Sequence, residues 1–201
     1  MSRFSKKSKK PIKHQEPLQL LGRLTSPDNM RSALDREVIG FDIALTSNAI
    51  VLYDHQSPHR IFSSEEGPGG QDLDILIRYF QVEIIERFVQ YSGSYVVLDW
   101  SKSESFMNTN RVHTSYKSFL TGYVYRALLS QGSFPIILSP QVIRRVLSLR
   151  PNAPKQYVWQ VFQTFWSGEG FENMNQHERD ALILGWCFQL IYPFQDKTLW
   201  P

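Results

Sequence analysis

Cysteine is nearly absent from this sequence of 201 residues, since Cys187 is the only one. A single cysteine excludes a disulfide framework and a zinc site built from several thiolates, and it favours a reducing compartment. Long apolar runs are missing as well. None approaches the roughly 20 residues that cross a bilayer, and no signal-peptide core follows the N-terminus. We therefore expect neither a membrane partner nor a disulfide-stabilised secreted fold.

A phosphate-cradling glycine motif is also lacking. Gly67, Gly69 and Gly70 share one loop, but their spacing is not that of a Walker motif, and no Lys-Ser or Lys-Thr pair follows them. We interpret this loop as a connector, and we expect no small-molecule cofactor.

The composition is that of a globular protein, with 42% hydrophobic and 13% aromatic residues. Residues 17–201 are enough to bury a substantial core, and we predict that they form a single domain. Residues 1–16 hold six Lys and Arg but no hydrophobic periodicity, which predicts a disordered basic arm.

Charge is distributed unevenly along the chain. Residues 15–100 have a net charge of −7, whereas residues 101–160 carry eight Lys and Arg against the single acid Glu104. An acidic half that supplies metal ligands and a basic half that holds a polyanion suit an enzyme acting on nucleic acid. A solvated surface whose charges serve only solubility is the alternative.

Apolar periodicity predicts an α/β protein in which strands come first and then alternate with helices. Strands are expected near 37–45, 48–54, 60–62, 95–99 and 134–138. Helices are expected over 71–90, 111–130 and 139–149, after Pro154, and from Gln176 to Ile191. Ser139 followed by Pro140 is a typical N-cap with proline at the first helical position.

Three carboxylates occur where these elements could bring them together. Asp42 lies in the first strand, Asp99 ends an apolar strand, and Asp180 opens the last helix. A charge at a buried strand position costs several kcal/mol unless a counter-charge compensates it, and a bound cation is the usual compensator. His177 lies three residues before Asp180, so both should project from one helix face. The pattern predicts a divalent-metal site, although each acid alone could also be structural.

Four motifs in order carry a resemblance to a known family. They are Ile39-Gly40-Phe41-Asp42 with the turn Thr46-Ser47-Asn48, the strand Val96-Val97-Leu98-Asp99, Ser139-Pro140-Gln141-Val142-Ile143-Arg144-Arg145 with Ala153-Pro154-Lys155, and His177-x-x-Asp180. With separations of 57 and 81 residues between successive acids, roughly residues 37–191 resemble the RuvC-like Holliday-junction resolvases of the RNase H-like superfamily. The resemblance implies a mixed five-stranded sheet flanked by helices.

The chain departs from this family at the second acid and around it. The family usually has Glu where Asp99 stands, and Phe106, which is similar to a junction-contacting phenylalanine of the family, follows its acid later than usual. Glu104 is therefore the fallback for the second carboxylate. We favour Asp99, because the end of an apolar strand fixes the direction of a side chain better than a loop does.

By the resemblance, the function is metal-dependent endonucleolytic cleavage of four-way (Holliday) DNA junctions by paired symmetric nicks. It implies two Mg²⁺ (or Mn²⁺) ions per active site, held by Asp42, Asp99, His177 and Asp180, with Lys155 close to the scissile phosphate. A homodimer and branched DNA are the implied partners, and a cytoplasmic or nucleoid-associated location follows, with an organelle less favoured. The candidate DNA contacts are Phe106, Arg111, Lys117, Arg144, Arg145 and Arg150.

Other predictions concern neighbouring residues. Glu178 and Arg179 are expected to face solvent, and the aromatic run Trp159, Phe162, Phe165 and Trp166 is expected in the core. Two alternative functions stay open: a non-catalytic branched-DNA-binding protein with an RNase H-like fold, and an RNase H-fold nuclease acting on another nucleic-acid structure.

Overall fold

A computed structural model describes residues 36–54, 57–69, 72–99, 111–166, 168 and 170–191. The expected basic arm at residues 1–16 lies outside these ranges. No described helix combines the length and the apolar character needed to cross a lipid bilayer.

The described strands and helices follow the predicted order. The strands are β1 (Val38–Asp42), β2 (Asn48–Tyr53), β3 (His59–Ser64), β4 (Tyr95–Asp99) and β5 (Phe134–Leu138). The α-helices are α1 (Leu73–Tyr79), α2 (Arg111–Ser130), α3 (Pro140–Val146), α4 (Lys155–Phe165) and α5 (Gln176–Ile191). The Ser139 hydroxyl accepts a hydrogen bond from the backbone N–H of Val142, so the predicted N-cap of α3 is confirmed.

The five strands form one mixed sheet in the order β3-β2-β1-β4-β5. β2 pairs antiparallel with β1 and β3, whereas β4 pairs parallel with β1 and β5. The predicted five-stranded mixed sheet flanked by helices is therefore confirmed. The three parallel strands β1, β4 and β5 end at the same edge of the sheet.

Helices cover both faces of the sheet, which explains why its central strands are apolar on both sides. Side chains alternate along a strand, so Ile39 and Phe41 of β1 pack against α1 and α2. Val38 faces the other layer, formed by α3, α4 and α5. Asp42 shares the side of Val38, and the pleat therefore directs it toward α5.

Two predicted helices differ in extent from the structure. The segment predicted as one helix over 71–90 is α-helical only to Tyr79 and continues as a π-helical turn, Phe80–Ile84, and a 3₁₀ segment, Ile85–Tyr91. The segment packs on the sheet through both changes of winding, since Phe80, Ile84, Ile85 and Phe88 are all buried in one core cluster.

Helix α3 ends at Val146, three residues before the predicted end. Ser148 adopts a left-handed backbone conformation with φ 56°, and the N–H of Leu149 bonds back to the carbonyl of Arg144. This local C-cap terminates the helix.

Candidate active site

Asp42 and Asp99 end two neighbouring parallel strands. Their strands pair in the register Phe41 opposite Leu98, so the two carboxylates lie at the same edge of the sheet. Both have the side-chain parity that faces α5, because Asp42 lies four residues after Val38 and Asp99 lies two residues after Val97, and both valines pack in that layer. The sheet therefore brings together two acids that are 57 residues apart in the sequence.

The beginning of α5 is fixed by a reciprocal capping arrangement. The Asn175 side chain accepts from the backbone N–H of Glu178 at 3.0 Å, and Glu178 accepts from the backbone N–H of Asn175 at 3.0 Å. Arg60 of β3 binds the Glu178 carboxylate with two nitrogens: Nε lies 2.7 Å from Oε1, and Nη2 lies 2.8 Å from Oε2. Glu178 is only 1% exposed, so the prediction that it faces solvent is wrong.

This anchored helix end presents His177 and Asp180 to Asp42. One possible ligand atom from each of the three residues lies within 4.8 Å of the others. The expectation that His177 and Asp180 share one helix face is therefore confirmed. The cluster combines two carboxylates and one imidazole from β1 and α5, and Asp99 is not part of it.

Both ring nitrogens of His177 are engaged. Nδ1 lies 2.7 Å from Oδ2 of Asp42, and Nε2 lies 2.8 Å from the hydroxyl oxygen of Ser47. The hydrogen bond to Asp42 raises the pKa of His177 above its ordinary value, against the opposing effect of burial. The imidazole is thus held between a carboxylate and a hydroxyl.

Asp180 is held by α4. The indole N–H of Trp159 donates to Oδ1 of Asp180 at 2.9 Å, and the Lys155 ammonium forms an ion pair with Oδ2. Burial raises the pKa of Asp180 to about 6, with a further rise from the Asp42 charge, while Lys155 and Trp159 act in the opposite direction. For Lys155, burial lowers the pKa, but Asp180 outweighs that effect and the net shift is upward.

Asp99 has a cationic partner of its own. Lys117 of α2 lies 3.4 Å from Oδ2 of Asp99, whereas Oδ1 is buried and has no hydrogen-bond partner in the described part of the chain. Burial raises the pKa of Asp99 and outweighs the opposing charge of Lys117. A buried carboxylate oxygen without a partner is costly, which suits a site that receives a cation.

A cavity of about 260 Å³ joins these groups. Its charged or polar lining consists of Asp42, Asp99, Lys117, Arg144, Lys155, His177 and Asp180. Three carboxylates therefore share one cavity with three permanent cations. Such a cavity can take up divalent cations and phosphate oxygens side by side.

The predicted DNA-contacting residues fall into three groups. Lys117 and Arg144 line the cavity, and Arg144 is buried, with its Nε donating to the carbonyl of Ala153 at 2.9 Å. Arg145 and Arg150 are exposed and do not line it. Phe106, the fallback acid Glu104 and the side chain of Arg111 lie outside the described residues.

Sequence reasoning missed three residues around the site: Ser47, Trp159 and Glu178. Trp159 has the spacing of a core aromatic, and nothing local reveals that its N–H reaches Asp180. The capping pair Asn175-x-x-Glu178 was readable as a pattern directly before an apolar run. Ser47 stands within the turn motif, but its contact with His177 joins residues that are 130 positions apart.

The donor set fits a hard divalent cation such as Mg²⁺ or Mn²⁺. Carboxylate oxygens from Asp42 and Asp180 converge, and Asp99, whose Oδ1 has no hydrogen-bond partner among the described residues, lines the same cavity. Oxygen ligands are what these cations prefer. A thiolate site is ruled out here, because Cys187 is buried in α5 among the core residues.

No protein-family model matches the sequence, and no curated protein matches it significantly. Solved structures do match the fold. RuvC of Thermus thermophilus, in complex with a Holliday junction substrate, superimposes with a TM-score of 0.60 at 13% identity, over 80% of this chain and 96% of RuvC. A second structure of that RuvC gives a TM-score of 0.60 at 12% identity, over 79% and 96% of the two chains.

The yeast mitochondrial Holliday junction resolvase Ydc2 superimposes with a TM-score of 0.52 at 13% identity, over 87% of this chain and 83% of Ydc2. At these identities the similarity concerns the fold. The resemblance seen in the sequence motifs is confirmed at that level: this chain has the RNase H-like fold of RuvC and Ydc2.

Proposed function

We propose that this protein is a metal-dependent endonuclease that resolves four-way DNA junctions by paired symmetric nicks. The observation that carries the proposal is the shared cavity in which Asp42, Asp99 and Asp180 meet Lys117 and Lys155. The fold similarity to two Holliday junction resolvases supports the choice of substrate.

Asp42, Asp99 and Asp180 would hold the cations, and two Mg²⁺ or Mn²⁺ ions per active site are part of this proposal. When bound, the ions make a water nucleophilic and stabilise the charge on the leaving oxygen. His177 belongs to the same cluster and contacts Asp42, and it remains a candidate ligand.

The cationic side chains of the cavity would bind and orient the phosphodiester. Lys155 is paired with Asp180, and a cation taken up by that carboxylate would free the ammonium for a phosphate oxygen. Lys117 is paired with Asp99 in the same way, and a cation taken up by Asp99 would free the Lys117 ammonium. Arg144 is anchored by the bond from its Nε to the Ala153 carbonyl, and its guanidinium would contribute a fixed positive charge to the cavity wall.

Arg145 and Arg150 lie outside the cavity and would contact the DNA backbone without reading its sequence. Phe106 and Arg111 remain candidates for the same surface. Because a four-way junction is two-fold symmetric, two nicks at equivalent positions call for two equivalent sites, and a homodimer supplies them.

The test is a nicking assay on a labelled four-way junction and a linear duplex of matched sequence, with Mg²⁺, Mn²⁺ or EDTA. Asp42→Asn is the inactive variant, and Asp74→Asn, an exposed acid in the first turn of α1, is the matched control. We expect symmetric, cation-dependent nicks in the junction with the wild type and Asp74→Asn, and none with Asp42→Asn. Size measurement in solution should give a dimer.

Two results would contradict the proposal and favour the alternatives. Junction binding without cutting under any cation would indicate a non-catalytic branched-DNA-binding protein. Cation-dependent cleavage of an RNA-containing duplex or a replication fork in preference to the four-way junction would indicate a nuclease with another target.

A further inference from the structure

The turn between β1 and β2 contacts the cluster of Asp42, His177 and Asp180 through Ser47. Its hydroxyl oxygen lies 2.8 Å from Nε2 of His177, and the residue is only 8% exposed. The turn around it is tied down, since Asn48 accepts from the backbone N–H of Ala44 at 3.1 Å and the Thr46 carbonyl accepts from the backbone N–H of Gly67. Ser47 is therefore a fixed partner of the imidazole.

The chemistry of the two partners determines the state of the His177 ring. The ionised carboxylate of Asp42 can only accept, so the 2.7 Å contact requires a proton on Nδ1. In the neutral ring Nε2 then accepts from the Ser47 hydroxyl, and in the charged ring it donates to the same oxygen. In both states the ring keeps its contact with Asp42 through Nδ1 and its contact with Ser47 through Nε2.

We propose that Ser47 and His177 are a positioning pair for Asp42. Ser47 fixes the ring plane, and the ring holds Oδ2 of Asp42 so that the carboxylate keeps one orientation toward the cavity. Outer partners of this kind typically change metal affinity by about 10- to 100-fold when they are removed. The part of the inference that concerns the cation rests on the proposed function.

The decisive measurement is ¹⁵N and ¹H NMR of the His177 ring in the cation-free protein. We expect a hydrogen-bonded proton on Nδ1. Ser47→Ala should broaden or shift the ring signals and lower the affinity for Mn²⁺, measured by calorimetry, about tenfold. Ser47→Thr keeps a hydroxyl and should retain both properties. Thr46→Ala is the matched control, because Thr46 is exposed in the same turn.

Wild-type ring signals and wild-type Mn²⁺ affinity in Ser47→Ala would overturn the inference. These readouts need no DNA, so they are separate from the nicking assay. If the wild type bound no Mn²⁺ at all, the proposed function would fail, and the ring proton would still show whether the positioning pair exists.

Discussion

Gly40 of β1 and Ala181 of α5 are in direct backbone contact. A Cβ placed on Gly40 would lie 1.7 Å from the Ala181 carbonyl oxygen and 2.6 Å from its carbonyl carbon. The atoms in the way belong to the backbone of Ala181, so they cannot move aside as the end of a flexible side chain can. This close approach brings the ends of β1 and α5 together, and with them Asp42 and Asp180.

Gly40→Ala should therefore destabilise the protein, because the helix must move away from the sheet. We expect a loss of about 1–3 kcal/mol or more in the free energy of unfolding, measured in urea. Gly122→Ala is the matched control: its Cβ would meet nothing within 4 Å, and in the middle of α2 it should raise stability by up to about 1 kcal/mol. Equal effects of the two substitutions would contradict the close-packing argument.

Trp159→Phe should weaken cation binding more than it weakens the fold. A smaller aromatic ring stays in place, but Oδ1 of Asp180 loses the 2.9 Å hydrogen bond that orients it. We expect the free energy of unfolding to fall by only about 1 kcal/mol, whereas the Mn²⁺ affinity should fall about tenfold or more. Calorimetry and urea denaturation separate the two effects. An unchanged affinity would show that Trp159 is only a core residue.

Cation affinity should rise with pH up to about 6. Proton and cation compete for the Asp180 carboxylate, and burial raises the pKa of this group to about 6. The pKa of Asp99 is raised as well, so its proton adds to the competition in the same direction. Below the pKa of Asp180, each unit of pH should cost at least about tenfold in affinity, because the cation displaces at least one proton. Mn²⁺ titrations between pH 5 and pH 8 test this, and a profile that is flat through pH 6 would contradict it.

Arg60→Ala should destabilise the protein strongly, although the Arg60 side chain is 56% exposed. Its partner Glu178 is 1% exposed. Without Arg60, the buried carboxylate would keep, among the described residues, only its hydrogen bonds with Asn175. Removing one partner of a buried ion pair typically costs about 3–5 kcal/mol, and the remaining bonds place this case at the lower end. Glu83→Ala, which breaks an ion pair exposed on both sides, should change stability by no more than about 0.5 kcal/mol. Similar losses in the free energy of unfolding for the two variants, measured in urea, would contradict this expectation.

Local patterns were sufficient for most of the secondary structure. The bounds of β4, β5, α2 and α5 agree with the residues whose spacing predicts them, because one face or both faces of each element must be apolar. The change of winding after Tyr79 was not predictable in the same way. It depends on how Phe80, Ile84 and Phe88 fit against the sheet, and all three are apolar at spacings that an ordinary helix also allows.

The sequence by itself determined the order of strands and helices and the candidate acids, because both follow from periodicity and from charged residues at the ends of apolar elements. Only the tertiary structure decided which partners these acids have. The bond of Trp159 to Asp180 and the ring of His177 between Ser47 and Asp42 join residues that are 21, 130 and 135 positions apart. Such contacts arise from the crossing of β1 with α5 and of α5 with α4, and no local spacing encodes where those elements meet.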